Sequence, residues 1–193
     1  MCFIKHSHPK NFLFAPWARS RQVILCSALF MVFALFPSCR NHDSDDRFAA
    51  IRETTLVLPS GHLIKASLAI TPEEQRQGLS GIQPDQFPDE RGLLFFYPEN
   101  GQRRFWMFDT YFPLDIIFLD STLTVIAVEK NIPPYQSKRP SPDIPTTRTI
   151  WARHVLEIKS GTPLSDEIKT GVRLQIMGEV SLSQIEQEIR QQQ

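Results

Sequence analysis

The side chains best equipped for chemistry crowd into the stretch from Trp106 to Asp115. Trp106, Met107, Asp109, Thr110, Tyr111 and Asp115 stand close together there, with Pro113 fixing a bend. An indole offers a flat stacking face, and carboxylates accept hydrogen bonds from hydroxyls. Together they suit the rim of a site for a sugar or another small polar ligand. The plainer reading, and the preferred one, is a bulge in which Trp106 and Met107 belong to the core while Asp109 and Thr110 satisfy a turn. Asp115 opens the apolar run Ile116-Ile117-Phe118, so a buried carboxylate there requires a partner. Arg76, on a helix predicted upstream, is the candidate, and such a pair is more often structural than catalytic. The candidate ligand-binding set is therefore Trp106, Asp109, Thr110, Asp115 and Arg76.

Other constellations carry less. Asp109 and Asp115 are an alternative as the paired carboxylates of a glycan-directed hydrolase, which requires both to face one glycosidic bond. His154 and Glu157 lie three apart on a predicted strand, which places them on opposite faces and argues against a shared metal. The sequence has no Ser-centred elbow, phosphate loop, dinucleotide fingerprint or His-Glu-x-x-His. No catalytic residue, metal or cofactor is assigned.

The elements that must position these residues are mostly strands. Thr54–Leu58 and His62–Ile70 flank Pro59-Ser60-Gly61 as a hairpin. Thr71-Pro72-Glu73-Glu74 is a capping box with proline at the first helical position, so a short helix runs to about Gly78. Gly92–Tyr97 is a continuous apolar strand with Phe105–Phe108 as its expected partner. Leu114–Leu119 and Thr122–Glu129 form another hairpin. Residues 131–149 hold prolines at 133, 134, 140, 142 and 145, a density that excludes ladder and helix and predicts a long surface loop. Ile150–Ile158 and Gly171–Met177 are the last strands, with a short helix near Pro163–Lys169. The expected fold is mainly β (β-rich α+β): a small barrel or sandwich of about seven short strands and one capped helix.

The N-terminus reads as an address. Val23–Phe36 is apolar except for Ser27 and follows Arg19-Ser20-Arg21. As a helix it would span about 21 Å, short of a ~30 Å hydrocarbon core but right for a signal-peptide h-region. Ser38-Cys39 follows directly and resembles a lipobox, so residues 1–38 are expected to be a signal peptide and Cys39 the lipidated residue. Residues 39–50 are then a polar tether, 51–180 a single β-rich domain and 181–193 a polar tail. The cysteines are Cys2, Cys26 and Cys39, so the body has no internal disulfide. Four of the 21 basic residues (Lys5, Lys10, Arg19 and Arg21) precede residue 39. The body therefore keeps 17 against 21 acids, a net of −4 that gives no reason to expect nucleic acid.

Residues 71–161 resemble the family called domain of unknown function 192 (DUF192). The resemblance rests on Thr71-Pro72-Glu73-Glu74-Gln75-Arg76-Gln77-Gly78-Leu79, Gly92-Leu93-Leu94-Phe95-Phe96, Phe105-Trp106-Met107, Asp109-Thr110, Pro113–Asp120 and Val155-Leu156-Glu157. It implies a compact β-rich domain, often exported, with no established reaction. The family usually has Lys-Asn where this chain has Phe108-Asp109, and Met-aromatic-Arg where it has Ser80-Gly81-Ile82. Two positive charges present in relatives are thus absent. The expected function is non-enzymatic binding of a small ligand or envelope protein, at the cell envelope, with the membrane reached through lipid on Cys39. The alternatives are the hydrolase using Asp109 and Asp115 and a structural lipoprotein docking a partner through its proline-rich loop.

Overall fold

In a computed structural model, residues 53–178 and 181–191 are described. The expected signal peptide, Cys39 and the expected tether lie outside them. The domain is mainly β. Nine strands alternate with three short helices: β1 (Glu53–Val57), β2 (Leu63–Ala69), α1 (Pro72–Gln77), β3 (Arg91–Phe95), β4 (Gly101–Arg103), β5 (Leu114–Leu119), β6 (Val125–Ile132), β7 (Ile150–Ala152), β8 (His154–Lys159), α2 (Pro163–Glu167), β9 (Gln175–Met177) and α3 (Leu182–Gln191). Seven strands form one mixed sheet in the order β6-β5-β8-β3-β2-β1-β9, and β4 pairs with β7 as a separate ribbon. Only β2 and β3 run parallel, because α1 carries the chain back across the sheet between them.

No closed barrel forms. The edge strands β6 and β9 share no ladder; the chain before β9 meets the start of β6 only through a bridge between Thr124 and Arg173 and neighbouring bonds such as Val125 N–H to Val172 O (2.8 Å). Two further expectations give way. Phe105–Phe108 is not the partner of β3, whose neighbours are β2 and β8. Its backbone is claimed by the proline-rich loop instead, with Met107 N–H on Pro145 O (3.0 Å) and Thr147 N–H on Phe105 O (2.9 Å). The predicted strand Ile150–Ile158 is two strands, split at Arg153, because β7 leaves the main sheet to pair with β4.

The central strands are buried on both faces, and period-two alternation sorts their side chains. On β5, Ile117 and Leu119 enter one core, while Leu114, Ile116 and Phe118 enter the other. On β8, Leu156 and Ile158 join the first and Val155 the second. α2 and α3 close the first core through Leu164, Ile185 and Ile189. The polar C-terminal stretch is thus a helix whose isoleucines are buried, anchored further by Arg153 to Glu186 (2.7 Å). The turn after α1 and residues 105–112 cover the second core through Leu79, Met107 and Phe112. Gly92 sits where a Cβ would stand 2.9 Å from Leu156 Cδ1 and 3.0 Å from Ile64 Cγ2, so close packing requires glycine there.

Candidate functional site

Over the second core, α1 and the segment 105–110 leave a cleft between them. Local chemistry fixes the helix. Thr71 Oγ1 accepts from the Glu74 N–H (3.2 Å), and the Glu74 carboxylate accepts from the Thr71 N–H (3.0 Å). Gln75 pins the helix to the sheet, donating to Ala69 O (3.3 Å) and Phe96 O (3.1 Å). The helix stops at Gly78, at φ 51° and ψ −135°, a conformation that L side chains avoid. A Cβ at Gly78 would stand 3.3 Å from Phe95 Cζ and 4.0 Å from Glu157 Oε2. The missing side chain is what leaves the floor open.

Residues 105–110 form the opposite wall. Ser80 Oγ donates to Phe108 O (2.6 Å), Gly81 N–H to Asp109 O (2.8 Å) and Tyr135 N–H to Thr110 O (3.1 Å). Phe105 packs edge-on against Phe95 (4.7 Å between centroids) and Phe118 (6.3 Å). Trp106 stacks on Phe108 (5.5 Å) and stands 53% exposed at the rim. The cleft encloses about 30 Å³, room for one or two water-sized groups, and opens to solvent above them. Phe95, Phe105 and Trp106 line it with rings; Arg76, Ser80 and Thr110 supply its polar rim.

Glu157 is at the floor. It is 4% exposed, and its Oε2 has no hydrogen-bond partner among the described residues. Burial alone pushes its carboxyl up to about 8, so at neutral pH Glu157 is mostly an uncharged acid. An acid inside Val155-Leu156-Glu157-Ile158, an apolar run on a strand, was the sequence signal for this residue. Its meaning depends on the cleft above it, which the spacing from His154 does not show. The two side chains do face opposite sides of the sheet. His154 lies against Phe96 (4.2 Å between ring centroids), on the first core, and Glu157 faces the second. Burial and the neighbouring Arg153 hold the His154 imidazole down at about 3, and its Nδ1 accepts from Tyr97 N–H (3.3 Å).

Of the five candidate residues, Trp106, Thr110 and Arg76 line the cleft. Asp109 is buried in the same segment but does not line the cleft, and at φ 50° its Oδ1 is unpaired among the described residues. Asp115 is elsewhere. Alternating with Leu114 and Ile116, it faces the first core at 1% exposure. There it accepts from Asn131 N–H (2.8 Å), Ser160 Oγ (2.5 Å) and Ser165 Oγ. The expected pair with Arg76 does not form, because α1 covers the opposite face of the sheet. Arg76 is exposed and makes no ion pair among the described residues.

The match to known proteins spans all of these elements. Residues 55–176 fit the family model of DUF192 ("Uncharacterized ACR"). The chain belongs to the DUF192 family. Two solved structures resemble this DUF192 domain. One is a proposed transcription regulator of Sinorhizobium meliloti 1021, at 31% identity and TM-score 0.52, covering 64% of this chain and 92% of that one. The other is a protein of unknown function from Novosphingobium aromaticivorans DSM 12444, at 30% identity and TM-score 0.51, covering 64% and 83%. No curated protein matches the sequence. The left-handed backbone at Asp109 gives a physical reason for an Asn or Asp at this DUF192 position, since those residues tolerate it best.

Proposed function

We propose that this DUF192 chain is a non-enzymatic binding domain, displayed at the cell envelope, that holds a small ligand in the cleft between α1 and residues 105–110. One observation carries the reading: a buried carboxyl oxygen on Glu157 has no hydrogen-bond partner among the described residues, beneath an aromatic-walled cleft that opens to solvent. Buried polar groups are normally satisfied, and an orphan under an opening is best explained by a guest. The lining offers no paired nucleophile and base, since Ser80 Oγ already donates to a backbone carbonyl. The hydrolase reading is disfavoured because Asp115 is fully engaged on the other face of the sheet. Partner docking through the proline-rich loop is disfavoured too, since Pro145 and Thr147 already hold the cleft wall. The regulatory name of the Sinorhizobium relative does not extend to this acidic body, which lacks the charge that DNA binding favours. The envelope address rests on the h-region and Ser38-Cys39.

A fragment screen by nuclear magnetic resonance on the full-length Cys39→Ser chain tests the binding claim. Hits are expected to move the Trp106 indole and the Phe105 ring together, and to lose affinity in Trp106→Ala. A screen in which no compound perturbs these resonances at millimolar concentration would remove the basis for a ligand site.

A further inference from the structure

The occupant's chemistry can be taken one step further, resting on the cleft being a ligand site. We infer that it takes an organic ammonium: a small molecule whose protonated amine lies against Glu157 and whose apolar body lies between Phe105 and Trp106. A buried carboxyl is stable as a charge only beside a cation, and no cation is bonded to Glu157 among the described residues. A metal ion is a poor candidate, because no group of three His, Cys, Asp or Glu side chains is assembled among them. Three aromatic rings line the same cleft, and ring faces attract a desolvated organic cation. A carboxylate at the floor and rings along the walls are together the recognition elements of an ammonium.

The other charged groups around the cleft fit this reading. From α1, the Glu74 carboxylate is occupied by the Ile70 and Thr71 N–H groups, and Arg76 is exposed at the rim, where solvent screens it. From beyond β3, Tyr97 is raised mainly by burial, and Arg103 lies over its ring (3.5 Å) rather than on Glu157. From the opposite wall, Phe105, Trp106 and Thr110 line the cleft, and the buried Asp109 of the same segment does not. β5 contributes only the apolar Leu114, Ile116 and Phe118 on this face. Glu157 and Arg76 are the two charged-type side chains in the lining, the acid at the floor and the base at the exposed rim.

Binding is then linked to protons. The guest prefers ionised Glu157, so each amine bound near pH 7 releases about one proton. Amine affinity should rise about tenfold per pH unit from pH 6 to 8 and level off above, while an alkylamine stays charged to about pH 10. The test is calorimetric titration of the full-length Cys39→Ser chain with phenethylamine and with its uncharged analogue 2-phenylethanol, at pH 6, 7 and 8. The expected result is a pH-dependent preference for the amine that disappears in Glu157→Gln, while the alcohol binds weakly and independently of pH. The wild-type pH profile needs no variant, so a Glu157→Gln protein that does not fold leaves the test intact. Binding of both compounds with equal, pH-independent affinity would overturn the ammonium assignment and leave the cleft standing. Binding of neither would take the ligand site down with it.

Discussion

Asp115 and Glu157 are the two buried acids that matter most, and they have opposite solutions. Asp115 receives hydrogen bonds from one backbone N–H and two serine hydroxyls, so it is a structural anchor tying β5 to β6, the end of β8 and α2. Losing one hydrogen bond to a buried carboxylate costs about 1.5–3 kcal/mol. Ser165→Ala is expected to lose that much in urea unfolding. Arg76→Met should be neutral, and a double-mutant cycle with Asp115→Asn should give an interaction energy within about 0.5 kcal/mol of zero. A large coupling would mean that the helix reaches the other face of the sheet. The sequence made the burial of Asp115 legible, and also its parity with Leu114 and Ile116. It did not show which face α1 would cover, because that depends on the parallel β2–β3 pairing, a contact between distant residues. Glu157 was just as visible inside its apolar run, but its meaning required the cleft above it.

At the scale of elements, the most legible feature was the most local one. The Thr71 capping box forms as read, because its donors and acceptors lie within three residues of one another. Thr71→Ala should lower stability by about 1 kcal/mol with an unchanged denaturant slope. The end of the same helix carries a sharper expectation. At φ 51° and ψ −135°, Gly78→Ala forces a side chain into a strained backbone region, and the new methyl presses on Phe95. Such strain costs roughly 1–3 kcal/mol, and the methyl narrows the floor above Glu157. A variant with unchanged stability and unchanged fragment binding would show that the floor is not closed at Gly78. Phe105–Phe108 was misread for the opposite reason. Its apolar composition suits a strand, but the positive φ at Asp109 and the carbonyls of the proline-rich loop take its backbone elsewhere.

At the scale of the whole molecule, the mainly β class was legible from strand spacing and turn chemistry, while the open mixed sheet was not, since closure depends on how β6 and β9 meet. The proposed envelope address is tested by partitioning: wild type should enter the detergent phase and Cys39→Ser the aqueous phase, and a wild type already in the aqueous phase would remove the anchor. The cleft depends on Glu157 holding its proton in the folded state, and global stability reports that directly. Its carboxyl stands at about 8 when folded, against 4.5 as the ordinary value. Between these limits the folded state binds the extra proton, so the contribution of Glu157 is complete below about pH 4.5 and is lost as pH rises to about 8. Urea unfolding of wild type and Glu157→Gln across pH 4 to 9 isolates it. Relative to the variant, wild type should lose about 1.4 kcal/mol per pH unit through that window and then level off. A difference that stays flat, or that moves in favour of wild type as pH rises, would mean that the Glu157 carboxylate is charged and satisfied in the folded protein, and that no orphan acid lies beneath the cleft.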